Sequence, residues 1–230
     1  VKTLGIIGGI APESTIEYYR LLVAEYRRRQ PDGSYPSILI NSVNLQRLID
    51  LVTADDRAGL VEYLVPELEK LHRGGAVIGL LSSNTPHLVF DQLAARSPLP
   101  LISIVTTARA EAQRLGLKRV GLFGTRFTMQ AGFYTSTFAE AGITVVVPEA
   151  AEREAVHEKY MGELIHGRFL DETRERLLGI ALAMQQREGI EALVLGGTEL
   201  PLLLRESPAG LPLLDTGRLH AEAAVAQMLA

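Results

Sequence analysis

The 230-residue chain contains no cysteine and no tryptophan. Without cysteine it has no disulfide, no thiolate metal site, and no thiol to act as nucleophile or base. It also lacks an excess of positive charge: 23 Lys and Arg stand against 27 Asp and Glu, for a formal net charge of −4 and a pI near 5.8. There is therefore no basic footprint for nucleic acid or for an anionic membrane surface, and a small molecule is the expected partner. No apolar run approaches the roughly 20 residues needed to span a bilayer. The first residues, Val1-Lys2-Thr3-Leu4-Gly5-Ile6-Ile7, enter a strand pattern directly, without a signal-peptide profile, so a cytoplasmic location is expected. Gly5-Ile6-Ile7-Gly8-Gly9 has neither the spacing of a dinucleotide fingerprint nor a P-loop lysine. His72, His87, His157, His166 and His220 form no H-x-x-x-H pair, and no metal is expected.

Apolar content is ample, at 47% hydrophobic residues, enough for one large α/β domain or two small ones. Apolar runs alternate with amphipathic ones, a pattern of βαβ units with parallel strands covered by helices. Strands are expected near 3–8, 36–42, 76–81, 100–104, 118–124, 143–147, 192–196 and 212–214. Continuous apolar runs such as Val120-Gly121-Leu122-Phe123 suit strands buried on both faces. Leu60, Leu64, Leu68 and Leu71 recur at helical spacing, as do Leu177, Ala181 and Met184. Pro66 is expected to kink or split the first of these helices. Pro12-Glu13 and Asp171-Glu172 mark helix starts.

The two halves repeat. Leu4-Gly5-Ile6-Ile7-Gly8-Gly9 matches Val120-Gly121-Leu122-Phe123-Gly124-Thr125 at an offset of 116, and Ser82 pairs with Gly197 at 115. Both loop pairs follow apolar strands, and ligands of open parallel sheets bind beyond the carboxyl ends of such strands. A duplicated α/β unit explains both offsets.

Five segments in order then carry a resemblance. They are Leu4 through Thr15 (LGIIGGIAPEST), Ser82-Ser83-Asn84-Thr85-Pro86-His87, Gly124-Thr125-Arg126-Phe127-Thr128-Met129, Gly196-Gly197-Thr198-Glu199, and Asp215-Thr216 with His220-Ala221-Glu222. Together they resemble the cofactor-independent aspartate/glutamate racemase family over nearly the whole chain. The resemblance implies two pseudo-symmetric α/β lobes with parallel sheets flanked by helices, here 1–98 plus 208–230 and 99–207, with a ligand cleft between them. It further implies a homodimer and no cofactor, neither pyridoxal phosphate nor metal. In such racemases one thiolate removes the α-proton while the facing thiol protonates the opposite side. Ser82 and Gly197 stand where the resemblance places those thiols.

The substitution removes the family chemistry. A serine hydroxyl is far less acidic than a thiol, and a gap of about five pK units costs about 7 kcal/mol in deprotonation; Gly197 has no side chain. What remains is ligand-binding equipment: Asn84, Thr85, Thr125, Thr128 and Thr198 match positions that bind substrate carboxylates in similar proteins, and Arg47 is placed to pair a distal carboxylate. At turns the same residue types also cap helices. The basic residue that some aspartate-specific members carry is replaced by Leu164-Ile165-His166, which leaves dicarboxylate specificity open. Ser82, His87 and Glu199 are the candidates for replacement chemistry. Glu13 reads as a first-turn helix residue and His220 as a packing or capping residue. Three functions stay open: a divergent enzyme acting on a small carboxylic or amino acid, a non-catalytic small-acid-binding protein, and a racemase whose cysteines were exchanged.

Overall fold

The computed structural model describes residues 1–206 and 210–230, and these group into two compact units, 1–104 with 220–230 and 105–219.

The first unit runs β1 (Leu4–Gly8), α1 (Pro12–Arg29), β2 (Ile38–Ser42), α2 (Leu45–Thr53), α3 (Arg57–Arg73), β3 (Ile78–Leu81) and α4 (Phe90–Arg96). Its three strands are parallel in the order β2-β1-β3, and Leu101 adds a single bridge beside Gly79. All five residues of β1 are buried, as its apolar run requires at the centre of a covered sheet. Tyr18, Leu22 and Tyr26 of α1 lie one helical turn apart and pack with Leu4, Ile6, Ile78 and Leu80 of the sheet. Ala221, Ala224, Val225 and Met228 complete that cluster, which is why the end of the chain returns to this unit.

The second unit contains nearly all of α5 (Ile104–Arg114), then β4 (Arg119–Gly124), α6 (Arg126–Gln130), α7 (Phe133–Ala139), β5 (Thr144–Val146), α8 (Ala150–Gly162), α9 (Asp171–Glu188), β6 (Ala192–Gly196), α10 (Leu200–Leu203), β7 (Leu213–Asp215) and the start of α11 (Thr216–Leu229). Its parallel sheet has the order β5-β4-β6-β7. Leu177, Ala181 and Met184 of α9 are all buried, as their spacing predicts. The first three strands of each unit follow one plan, with the first strand central and the third beside it, and Leu101 and β7 add the next position in each sheet. This repeat is the structural counterpart of the sequence duplication.

Three expectations change. Pro66 does not split its helix: α3 is continuous from Arg57 to Arg73, because Leu60, Leu64, Leu68 and Leu71 are all buried and hold both halves down, while Pro66 faces outward. The segment 100–104 is no full strand, since only Leu101 bridges and Ile104 already opens α5. The units exchange at 104/105 and 219/220, where 98/99 and 207/208 were expected. Leu101 belongs to the first sheet and β7 to the second, so residues 99–104 and 210–219 follow their strand pairing. The expected boundary at 207/208 lies outside the described residues. Among the described residues no helix is long and apolar enough to cross a membrane.

Candidate functional site

In the first unit the carboxyl ends of the parallel strands carry the loops that the sequence singles out. Beyond β3, Ser82 continues the ladder by one bond, its N–H donating to the Ile7 carbonyl at 3.0 Å. The Ser82 hydroxyl turns the same way, donating to the Ile7 carbonyl at 3.1 Å and lying 3.3 Å from Thr15 Oγ1. Ser14 Oγ donates to the Ser82 carbonyl at 2.5 Å, and the Gly9 N–H donates to Thr15 Oγ1 at 2.8 Å. These bonds tie the turn after β1 to the end of β3. Ser82 is fully buried in that knot, whereas Ser83 keeps 9% of its surface.

Strand register corrects the pairing of Ser82 with Gly197. In the first sheet Leu4 pairs with Ile78 and Ile7 with Leu81; in the second Val120 pairs with Ala192 and Phe123 with Leu195. With β1 laid on β4, β3 therefore falls on β6 at an offset of 114. The counterpart of Gly197 is Ser83, and Ser82 corresponds to Gly196. The offset of 115 differs by one residue, which inverts the face on which a strand residue projects.

His87 is buried and stacked on Phe90, with ring centroids 4.9 Å apart and planes within 3°. Its Nδ1 lies 3.1 Å from the Ser83 carbonyl, and its Nε2 accepts the Ile104 N–H at 3.2 Å. A carbonyl demands a donor and an N–H demands an acceptor, so the ring is the neutral Nδ1–H tautomer with both nitrogens engaged. Burial, with the neighbouring His220 adding to it, depresses its pKa to about 3. The geometry gives His87 the task of holding the Ser83 loop, in place of the base that the sequence suggests. His220 is likewise buried and neutral, its Nε2 donating to the Ile102 carbonyl and its Nδ1 accepting the Tyr18 hydroxyl, each at 2.8 Å. Burial lowers its pKa to about 4.

Asn84 and Thr85 follow Ser83 into the short 3₁₀ turn Thr85–Val89, and Asn84 is buried. Arg47 lies in the first turn of α2, beyond the end of β2, with its exposed guanidinium 4.6 Å from the centre of the Tyr63 ring. The Tyr63 hydroxyl in turn accepts the Asn44 N–H at 2.9 Å and donates to the Asn44 carbonyl at 3.2 Å, so Tyr63 supports both the loop and the arginine stacked on it.

In the second unit Thr125 caps α6, its hydroxyl accepting the Thr128 N–H at 3.3 Å and lying 3.2 Å from Thr128 Oγ1. His157 Nδ1 accepts the Arg126 N–H at 3.1 Å, fixing the same turn from α8. Thr128 closes over the glycine that ends β4: a Cβ at Gly124 would meet Thr128 Cγ2 at 3.0 Å and the Gly196 carbonyl at 2.6 Å. In the first unit Thr15 closes over Gly8 in the same way, its Cγ2 2.6 Å from where a Cβ would sit. Thr15 is thus the structural partner of Thr128, although the loop before it is longer.

Gly197 has a physical reason to be glycine. A Cβ there would meet the ring of Tyr160, with Cζ at 2.8 Å and the hydroxyl oxygen at 2.6 Å, and would come closest to Cε2. Tyr160, from α8, is 5% exposed and donates its hydroxyl to Glu199 Oε2. Thr198 Oγ1 donates to the same oxygen at 3.1 Å. Glu199 is 2% exposed and Thr198 is buried beside it. Burial, together with the adjacent Glu199 carboxylate, pushes the Tyr160 pKa well above that of an ordinary tyrosine, so the phenol keeps its proton. Where the sequence leaves an empty position, the structure places a buried phenol and a carboxylate.

The structure therefore gathers Ser83, Asn84, Thr85 and His87 after β3, and Thr125, Thr128, Thr198 and Glu199 after β4 and β6. Ser83, Thr15 and Tyr160 are additions that single-residue reading misses. A strand-register count identifies Ser83. For Tyr160 the sequence carries only an indirect sign, a glycine where the repeat would accept a side chain.

Duplicated parallel α/β units, glycine-ended central strands and hydroxyl-rich loops at their carboxyl ends define a class of α/β proteins built from two matching halves. The family model described as Asp/Glu/Hydantoin racemase matches residues 7–224, and the chain belongs to that family. A Yersinia pestis protein provisionally classed as an Asp/Glu racemase is 30% identical, with a TM-score of 0.91 over 100% of both chains. An aspartate racemase homologue from Pyrococcus horikoshii OT3 is 32% identical, with a TM-score of 0.85, again over 100% of both. A glutamate racemase from Limosilactobacillus reuteri is 25% identical over 109 residues, which is 47% of this chain and 39% of that protein's length.

Proposed function

We propose that the protein binds a small α-amino or related carboxylic acid at these strand-end loops and transfers its α-proton without thiol chemistry. The observation that carries this reading is Glu199, a buried carboxylate held by the hydroxyls of Tyr160 and Thr198 on the loop after β6. It is one of the three candidates for replacement chemistry, and its carboxylate is the acceptor for both hydroxyls. Ser82 is tied to Ile7, and both nitrogens of His87 are engaged with backbone groups. In the first unit Ser83, Asn84 and Thr85, and in the second Thr125, Thr128 and Thr198, carry amide and hydroxyl groups suited to carboxylate oxygens, and Arg47 is the proposed partner of a distal carboxylate. The names of the relatives, aspartate and glutamate racemases, make acidic amino acids the first ligands to try.

A second reading, binding without turnover, is favoured by the neutral, fully bonded His87 and by the inward turn of Ser82. Both readings share the ligand. The test is thermal unfolding with both enantiomers of aspartate, glutamate and alanine, and with malonate. A ligand at 100 times its Kd adds about 2.7 kcal/mol, or roughly 5–10 °C for a chain of this size. A set of flat melting curves across the panel would remove both readings. Homodimeric assembly, a cytoplasmic location and cofactor independence belong to the same proposal, and sedimentation, fractionation and turnover after exhaustive chelation test them in turn.

A further inference from the structure

The position of Tyr160 says more than that a ring fills a gap. Its Cε2, Cζ and hydroxyl oxygen occupy the place into which a side chain at 197 would project, and position 197 is the counterpart of Ser83 on the other loop. The hydroxyl at that point is joined to Glu199, and Thr198 steadies the same carboxylate oxygen. α8 has thus brought a hydroxyl from elsewhere in the chain to the place where position 197 itself has no side chain.

We infer that Tyr160 and Glu199 form one unit in which Glu199 is the base for the ligand's α-proton and Tyr160 is the positioning residue that orients its carboxylate. The inference rests on the reading that a small acid binds at these loops. In the step, the ligand's Cα–H bond breaks and the proton forms an O–H bond with the Glu199 carboxylate. The electron pair passes from carbon into the ligand's own carboxylate as an enediolate. In D2O the acid exchanges its proton with solvent and returns a deuteron to carbon, restoring the Glu199 carboxylate. Tyr160 keeps its proton throughout and only donates a hydrogen bond, as a buried phenol beside a carboxylate does.

The experiment is α-deuterium incorporation in D2O, followed by proton NMR on whichever panel acid shifts the melting curve, with wild type, Tyr160→Phe and Glu199→Gln. Phenylalanine preserves the ring that fills the space at 197, and glutamine preserves the shape of Glu199, so melting temperature and ligand-induced stabilisation check folding and binding separately from exchange. The expected result is exchange by wild type, a fall of about tenfold in kcat with KM unchanged for Tyr160→Phe, and loss to background for Glu199→Gln with binding retained. Binding without exchange in wild type overturns the inference and leaves the binding reading standing. Undiminished exchange in Glu199→Gln, or in Tyr160→Phe, overturns it as well. Absence of binding by every acid overturns both.

Discussion

Replacing Gly197 by alanine tests the relation between that position and Tyr160 through stability alone. The new methyl would lie 2.6 Å from the Tyr160 hydroxyl oxygen and 2.8 Å from Cζ, so the ring must move. Forcing extra volume into a packed site costs about 1–3 kcal/mol. Moving the ring also breaks the bond from its hydroxyl to Glu199, and a hydrogen bond to a charged group is worth about 1.5–3 kcal/mol. The combined loss is about 3–5 kcal/mol, which lowers the melting temperature by roughly 10 °C for a chain of this length. Tyr160→Leu supplies the control, since leucine lacks the three atoms that obstruct position 197. On that background Gly197→Ala is expected to cost less than about 1 kcal/mol, giving a coupling of about 3 kcal/mol in a double-mutant cycle followed by urea unfolding. An alanine variant within about 0.5 kcal/mol of wild type, or a strictly additive cycle, would refute the reasoning. Gly197→Cys faces the same obstruction, so a thiol cannot be restored there until Tyr160 is reduced.

Stability is also expected to depend on acid through the two buried histidines. Their folded pKa values, about 3 for His87 and about 4 for His220, lie below the ordinary 6.5, so the unfolded chain takes up protons first as pH falls. The contribution is complete above the unfolded value and shrinks below it. Between pH 7 and 5 each histidine should remove about 2 kcal/mol in urea titrations, and a flat profile would contradict their neutral, bonded state. Ser82→Ala removes a hydroxyl that ties β3 to β1 and should cost about 1 kcal/mol without changing ligand-induced stabilisation. Ser83→Ala should do the reverse, and a ligand response confined to Ser82→Ala would restore the sequence pairing. Thr125→Ala removes the α6 cap and should lower stability by about 1 kcal/mol, read from the urea midpoint.

The duplicated α/β plan was legible because buried parallel strands leave continuous apolar runs, and β1, β4 and β6 fall where those runs lie. Helix starts at Pro12 and Asp171 were legible from local chemistry. A split at Pro66 does not follow, because propensity acts locally while the leucine stripe on both sides of it is buried. Ser82 misled because loops after matching strands need not begin at the same residue; only the hydrogen-bonded ladders fix which residue of β3 answers which of β6. His87 is visible in sequence as a titratable group, but its two backbone partners come from Ser83, four residues back, and Ile104, seventeen residues on. Tyr160 lies 37 residues before Gly197, and no spacing rule joins a residue of α8 to a glycine after β6.

The central claim, that a small acid is recognised at strand-end loops of this fold, is tested most directly by amide chemical-shift mapping of the ¹⁵N-labelled protein during titration with the panel acids. The account expects saturable shifts at residues 83–85, 125–128 or 197–199 for at least one acid, with those at 83–85 lost in Ser83→Ala and those at 197–199 retained in Glu199→Gln. Saturable shifts centred elsewhere, with these amides unmoved, would contradict it.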